Sequence, residues 1–168
     1  MAERAERGSG TWVDARGDRT VMALGIALLL GYVVQAALAL EWSWLARLQA
    51  NDAYKISSGC GLAGYLVVQW SVARRRLLDP VGAVARHRLY GAFAPLVLYL
   101  HASRFAYGYL LVLALIYLSM VCVGLVHRPV LALRVRWLFT WWVVLHVATS
   151  VVVVVLGGYH VVIALAYE

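Results

Sequence analysis

Charge is scarce in this chain: only 14% of its 168 residues are Asp, Glu, Lys or Arg, against 64% hydrophobic, and the mean hydropathy is +0.79. Soluble domains hold roughly 45–50% apolar residues, so the composition argues against a water-soluble fold and for an integral membrane protein. Acidic residues are the scarcer sign, eight against fifteen basic, for a net charge of +7. In a chain built of long apolar runs, the positive-inside asymmetry of membrane loops accounts for that excess, and no nucleic-acid partner is expected. Cysteine is nearly absent. Cys60 and Cys122 lie in apolar segments with no Cys-x-x-Cys spacing, which argues against a disulfide framework or a thiolate metal site and leaves them as small packing residues. There are no repeats, low-complexity stretches or soluble-domain segments. No small-residue cleavage site follows the first apolar run, so that run is expected to remain as a span.

The length suits one small helical domain, and the apolar runs give an all-α membrane fold of five transmembrane helices. Residues 1–19 read as a mostly disordered cytoplasmic tail. Residues 20–168 form the membrane domain, with spans at about 20–40, 57–73, 80–104, 106–126 and 137–167. Spans 2–5 make a four-helix bundle and span 1 is an N-terminal addition. Residues 41–56, with Trp42 and Trp44 among polar groups, read as an interfacial segment with aromatic anchors. Asp79-Pro80 gives an N-cap followed by proline at the first helical position, and Pro95 is expected to kink span 3. The Val-rich stretch 151–155 favours a strand by propensity, but its place in a long apolar run makes it membrane helix.

With five spans, twelve of the fifteen basic residues fall on one side: Arg4, Arg7, Arg16, Arg19, Arg74, Arg75, Arg76, Arg86, Arg88, Arg128, Arg134 and Arg136. Arg47, Lys55 and Arg104 fall on the other. The first side is therefore expected to be cytoplasmic, with the C-terminus outside, in a multi-pass plasma-membrane protein.

Four of the five histidines form two pairs of equal spacing, His87 with His101 and His146 with His160. Fourteen helical residues rise about 21 Å and fall roughly 40° short of four full turns, so each pair lies on one helix face near opposite membrane surfaces. Spans 3 and 5 are separated by one span and run parallel. His87 then lies level with His146 and His101 with His160. Imidazole in hydrocarbon needs a partner. Zinc would need four ligands converging on one point, whereas two flanking helices that each offer one imidazole at two levels suit two bis-histidine haem groups. The four histidines are the expected axial ligands of haem iron; the competing reading is four unrelated hydrogen-bonded core residues. Gly91 and Gly157 would let a porphyrin lie close to the backbone, or serve helix packing equally well. Arg88, Arg136 and Arg86 could meet propionates on the cytoplasmic side and Arg104 on the outer side, or snorkel to the interface. His127 lies outside both pairs and reads as interfacial.

The segment His87-Arg88-Leu89-Tyr90-Gly91 leading to Leu100-His101, with Arg136-Trp137-Leu138-Phe139 leading to His146 and His160, resembles the ferric reductase-like transmembrane domain. The resemblance covers about residues 57–167. It implies that His87 and His146 bind an inner haem b and that His101 and His160 bind an outer one. Members of that family commonly add a sixth span and a C-terminal flavin and nicotinamide domain. This sequence stops eight residues after His160, so the expectation is a chain that does not itself oxidise a nicotinamide. His101-Ala102-Ser103-Arg104, followed by Tyr107-Gly108-Tyr109, is similar to the end of the first ligand helix of respiratory cytochrome b.

The function expected is that of a dihaem b-type cytochrome, the electron-transfer subunit of an oxidoreductase, working with a separate redox partner protein or carrier. One alternative is a quinol-linked cytochrome b subunit with a quinone site lined by Tyr54, Lys55, Ser57 and Ser58. Another is a non-redox membrane assembly subunit.

Overall fold

A computed structural model describes residues 2–75 and 78–167 of the chain, without the side chains of residues 2–16, 80, 128, 129, 131 and 167. Arg76 and the side chains of Arg4, Arg7, Arg16 and Arg128, all counted on the basic face, lie outside the described residues. Every regular element among those residues is helical. In order they are α1 (Ala2–Ala37), α2 (Ser43–Gln49), α3 (Asp52–Arg74), α4 (Pro80–His101), α5 (Tyr109–Leu125), α6 (His127–Ala132) and α7 (Arg136–Tyr167). Two stretches are long and apolar enough to cross a membrane, Gly17–Ala37 and Arg136–Ala166. At 17 residues, Tyr109–Leu125 is apolar but shorter.

Three sequence-based boundaries need correction. In the structure α1 begins at Ala2, ahead of the start expected for the first span at about residue 20. Ala, Glu and Arg dominate its start, and these residues cost a helix least. The segment read as interfacial over 41–56 is divided: α2 is a helix of its own, and residues 52–56 open α3. Asn51 caps that start, its side chain accepting from Tyr54 N at 3.1 Å. The basic loop after α5 holds the short helix α6. The Val-rich stretch 151–155 lies inside α7.

The start of α4 follows from two adjacent residues. Pro80 occupies the first turn, and the Asp79 side chain accepts from Gly82 N at 2.9 Å and from Arg86 Nη2 at 2.8 Å. Those bonds, the backbone one first, hold the exposed Asp79 carboxyl below its ordinary pKa. The helix then runs through Pro95, beside which the Tyr117 hydroxyl donates to the Ala94 carbonyl at 3.1 Å. Gly108, at φ +62°, turns the chain into α5.

α4 is central, packing on α1, α3 and α5; α1 also meets α5, and α7 packs on α5 and α6. The core joins Tyr32, Ala94, Leu98, Tyr117, Leu118, Val121 and Leu125, with Val153 as the contribution of α7. Close approach of α1 and α4 follows from small residues, with Ala83 and Ala92 fully buried. By contrast α7 is largely exposed along its apolar length, Val154 and Val155 at 63% and Leu165 at 68%. α4 and α7 share no extensive packing surface among the described residues.

Candidate functional site

The gap between α4 and α7 is bridged at two levels by histidines. The rings of His87 and His146 have centroids 6.2 Å apart, and those of His101 and His160 are 6.4 Å apart. The planes cross at 80° and 61°. The structure thus brings together the same partners that the parallel course of the two helices pairs by level. Edge-to-face aromatic contact spans about 4.5–7 Å, so distance alone does not define a site. The surroundings of the rings do.

Three of the four imidazoles have their Nδ1 atom held by a side chain from a neighbouring helix. Ser58 Oγ, on α3, lies 3.0 Å from His101 Nδ1. Tyr109 Oη, at the start of α5, lies 3.3 Å from His160 Nδ1. The Gln69 side-chain amide, one α3 face away, lies 3.0 Å from His87 Nδ1. In the fourth, the Met120 carbonyl lies toward the His146 ring, but Nδ1 makes no regular hydrogen bond. That ring is held from its faces instead. Trp142 lies parallel to it, at 2° and 5.9 Å, with its indole N–H donating to the Val123 carbonyl at 2.7 Å. An imidazole that donates its Nδ1 hydrogen presents a bare Nε2, as metal-ligating histidines commonly do; at His87 the satisfied amide setting has Gln69 donating to Nδ1 instead.

Two glycines sit against the histidines at matching distances. A Cβ on Gly59 would lie 3.2 Å from His101 Cε1 and 3.7 Å from its Nδ1, and a Cβ on Gly124 would meet His146 at the same two distances. Each absent side chain leaves room for one imidazole of a different pair. Of the glycines expected to cradle a porphyrin, Gly91 faces the Gln69 amide at 3.5 Å. Gly157 has nothing within 4 Å of its Cβ position among the described residues.

Three of the four arginines have an acidic partner within the chain. Arg88 ion-pairs with Asp18 of α1 and has Nη1 3.2 Å from His127 Nε2, in a cluster where Asp18 and His127 are buried. Arg104 pairs with Glu41, and Arg86 with Asp79. Arg136 lines an open groove with Trp137, Thr140 and Trp141. The residues suggested for a quinone site are also engaged within the chain. The Tyr54 hydroxyl donates to the Leu100 carbonyl at 2.9 Å, Ser57 Oγ donates to the Tyr54 carbonyl, Lys55 pairs with Asp52 and Ser58 meets His101.

Sequence reasoning missed the end of α4, where His101 is the last helical residue. Free C-terminal carbonyls there are met by side chains from three other elements. Gln49 of α2 donates to the Tyr99 and Leu100 carbonyls at 2.9 and 3.1 Å and accepts from Ser103 Oγ at 2.6 Å. Tyr54 of α3 also meets Leu100, and Tyr32 of α1 donates to Ala102 O at 3.0 Å. Polar residues facing an apolar span were the available signal for Ser58, Gln69 and Gln49; nothing in the sequence distinguished Gly59 or Gly124 from packing glycines.

No family model, curated protein or solved structure matches the chain.

The donor sets can be tested against a metal-bearing group. Among the described residues no three His, Cys, Asp or Glu side chains converge, so each site offers two imidazoles, which does not suit tetrahedral zinc. Each pair of imidazoles, with ring centroids 6.2 and 6.4 Å apart, could hold one metal between α4 and α7, with one ligand from each helix.

Proposed function

We propose that the protein is a dihaem b-type cytochrome with five transmembrane helices, α1, α3, α4, α5 and α7, in the manner of ferric reductase-like transmembrane domains. Electrons would cross the bilayer between separate redox partners or carriers. The observation that carries this reading is the meeting of His87 with His146 and of His101 with His160 at two levels of the α4–α7 gap, with three of the four Nδ1 atoms already engaged.

His87 and His146 would hold the haem nearer the cytoplasmic, basic side, and His101 and His160 the one nearer the outer face. Each bound haem supplies an iron that cycles between ferric and ferrous states. The chain's own residues do the rest. Ser58, Gln69 and Tyr109 fix three rings about their Cβ–Cγ bonds, and Trp142 fixes the fourth by stacking. Gly59 and Gly124 let α3 and α5 close on the ligands. Of the four arginines, Arg136 is the candidate for a propionate, since Arg86, Arg88 and Arg104 are matched by Asp79, Asp18 and Glu41.

Among the described residues two helices have the length and apolarity of a span on their own; α5 is apolar but shorter, and α3 and α4 carry Ser58, Gln69, His87 and His101, polar groups at the two histidine levels that lower their hydropathy.

The test is an optical spectrum and haem quantitation of the full chain purified in detergent. The expected result is a b-type α-band on reduction and about two haems per chain. Replacing His101 or His160 removes one haem and leaves the other. No α-band, or loss of both haems whenever one outer histidine is changed, overturns the reading.

A further inference from the structure

Only one setting of the Gln69 amide is satisfied. Its nitrogen faces His87, donating to Nδ1 at 3.0 Å and to the His87 carbonyl at 3.3 Å, and its oxygen accepts from Gly91 N at 2.7 Å. Turned the other way, the amide oxygen meets the His87 carbonyl and the amide nitrogen meets the Gly91 N–H, acceptor against acceptor and donor against donor. The backbone of α4 therefore orients the amide, and the amide chooses the tautomer of His87. Nδ1 accepts, and the hydrogen of the neutral ring is on Nε2. A nitrogen that carries hydrogen has no lone pair to give a metal.

The outer site is arranged otherwise. Ser58 Oγ donates to the Lys55 carbonyl at 3.2 Å, which leaves its lone pairs toward His101 Nδ1 at 3.0 Å. His101 then donates from Nδ1 and presents a bare Nε2, each hydrogen meeting an acceptor. Tyr109 Oη, 3.3 Å from His160 Nδ1, both donates and accepts, so it suits the same tautomer by turning. A hydroxyl adapts to either tautomer. The Gln69 amide, pinned by two backbone groups, suits one.

We propose that Gln69 is a gate on the inner site: it holds His87 in the tautomer that takes no metal, so the outer haem loads first and the inner one follows only when the amide withdraws. The proposal rests on the dihaem reading. For His87 to ligate, the hydrogen leaves Nε2 and one is gained at Nδ1, so the ring stays neutral and the Nε2 lone pair goes to the iron. Nδ1–H then faces the amide N–H, and Gln69 must give up its bonds to His87 and Gly91. At His146 the group toward the ring is the Met120 carbonyl, an acceptor, which does not oppose a bare Nε2. Gln69 is thus a positioning residue that acts through His87 alone.

The test is haem titration into the haem-free full chain in detergent. His160→Ala leaves the inner site to be measured and His146→Ala the outer one. Gln69→Leu removes the amide. In the His160→Ala background it is expected to tighten inner binding about tenfold, the worth of roughly one hydrogen bond. An amide that merely supports the ring would give the opposite sign on removal. Ser58→Ala, in the His146→Ala background, removes an acceptor that favours ligation and is expected to weaken outer binding by about threefold. Nitrogen NMR of the unaltered haem-free chain, with ring signals assigned by substitution, is expected to place hydrogen on Nε2 of His87 and on Nδ1 of His101.

Inner binding unchanged or weakened in Gln69→Leu overturns the gate and leaves the dihaem reading standing. Hydrogen on His87 Nδ1 in the haem-free chain overturns the gate whatever the titration gives. If Gln69→Leu does not fold, that tautomer decides, and hydrogen on Nε2 supports the gate. No haem bound by the unaltered chain overturns the dihaem reading and the gate with it.

Discussion

Gly59→Ala isolates the fit between α3 and the outer site. The added Cβ would sit 3.2 Å from His101 Cε1 and 3.9 Å from Nε2. Carbon atoms prefer about 3.5–4.0 Å, so the ring must yield by roughly 0.3–0.8 Å. Over the few ångströms from the torsion axis to Cε1 this is a rotation on the order of 10°, cheaper than the 0.5–1.5 kcal/mol of a ~30° departure from a rotamer. Alanine in place of a mid-helix glycine returns about 1 kcal/mol of helix propensity. Stability should therefore be unchanged or slightly raised. The same rotation works against the Ser58 Oγ–Nδ1 contact, 3.0 Å as it stands and at the limit of a hydrogen bond once stretched by half an ångström. The expected result is an unaltered melting temperature, two haems, and a changed low-spin ferric EPR signal and potential for the outer haem alone. Gly59→Leu, which cannot be accommodated by so small a rotation, should lose that haem. An outer haem with native EPR signal and potential in Gly59→Leu would refute the reasoning, because nothing would then press α3 against His101.

Arg88→Ala leaves the carboxylate of Asp18 buried beside His127 without its guanidinium, at a cost on the order of 3 kcal/mol in thermal unfolding. The double change Asp18→Asn with Arg88→Met should recover much of that loss. Gln49→Ala removes the bonds to the Tyr99 and Leu100 carbonyls and to Ser103. At about 1 kcal/mol each it should destabilise by roughly 3 kcal/mol and reduce occupancy of the outer site before the inner one, read by haem content. Asp79 has its pKa depressed in the folded state, so its contribution is present above the carboxyl's unfolded pKa and is lost as pH falls through the folded one. Asp79→Ala should accordingly flatten the acid side of the melting temperature–pH curve.

The histidine pairs were legible because a spacing of fourteen is a property of a single helix, and the parallel course of α4 and α7 then decides which levels meet. The N-cap at Asp79 and Pro80 was legible for the same local reason. What lay across helices was not. Ser58, Gln69 and Tyr109 are 43, 18 and 51 residues from the rings they hold, and no periodicity links them to those rings. Gly59 and Gly124 matter through the atoms opposite them, which a sequence of glycines in apolar runs does not reveal. Of the arginines expected to meet propionates or to snorkel, nothing local in the sequence pointed to the ion pairs that Arg88 and Arg104 make with Asp18 and Glu41. Arg104 is three residues past His101, yet α4 ends at His101 and the chain beyond it carries Arg104 to Glu41.

The exposure of α7 leads to a prediction about what holds it. In lipid, apolar surface gives no drive for helices to associate, and packing and polar contacts decide. α7 shares packing with α5 and α6, gives the core only Val153, and meets α4 chiefly through the two ring pairs. Axial ligation by both helices would therefore supply a large part of the restraint on α7, as metal binding supplies folding energy where the site spans separate elements. The α1–α4–α5 core, with Tyr32, Tyr117 and Leu118 buried, needs no such help. The haem-free chain, or His146→Ala combined with His160→Ala, is expected to lose amide-exchange protection along α7 by tenfold or more while α4 and α5 keep theirs. Equal protection of α7 with and without haem would show that its contacts with α5 suffice, and that the α4–α7 gap is set by the protein rather than by what it binds.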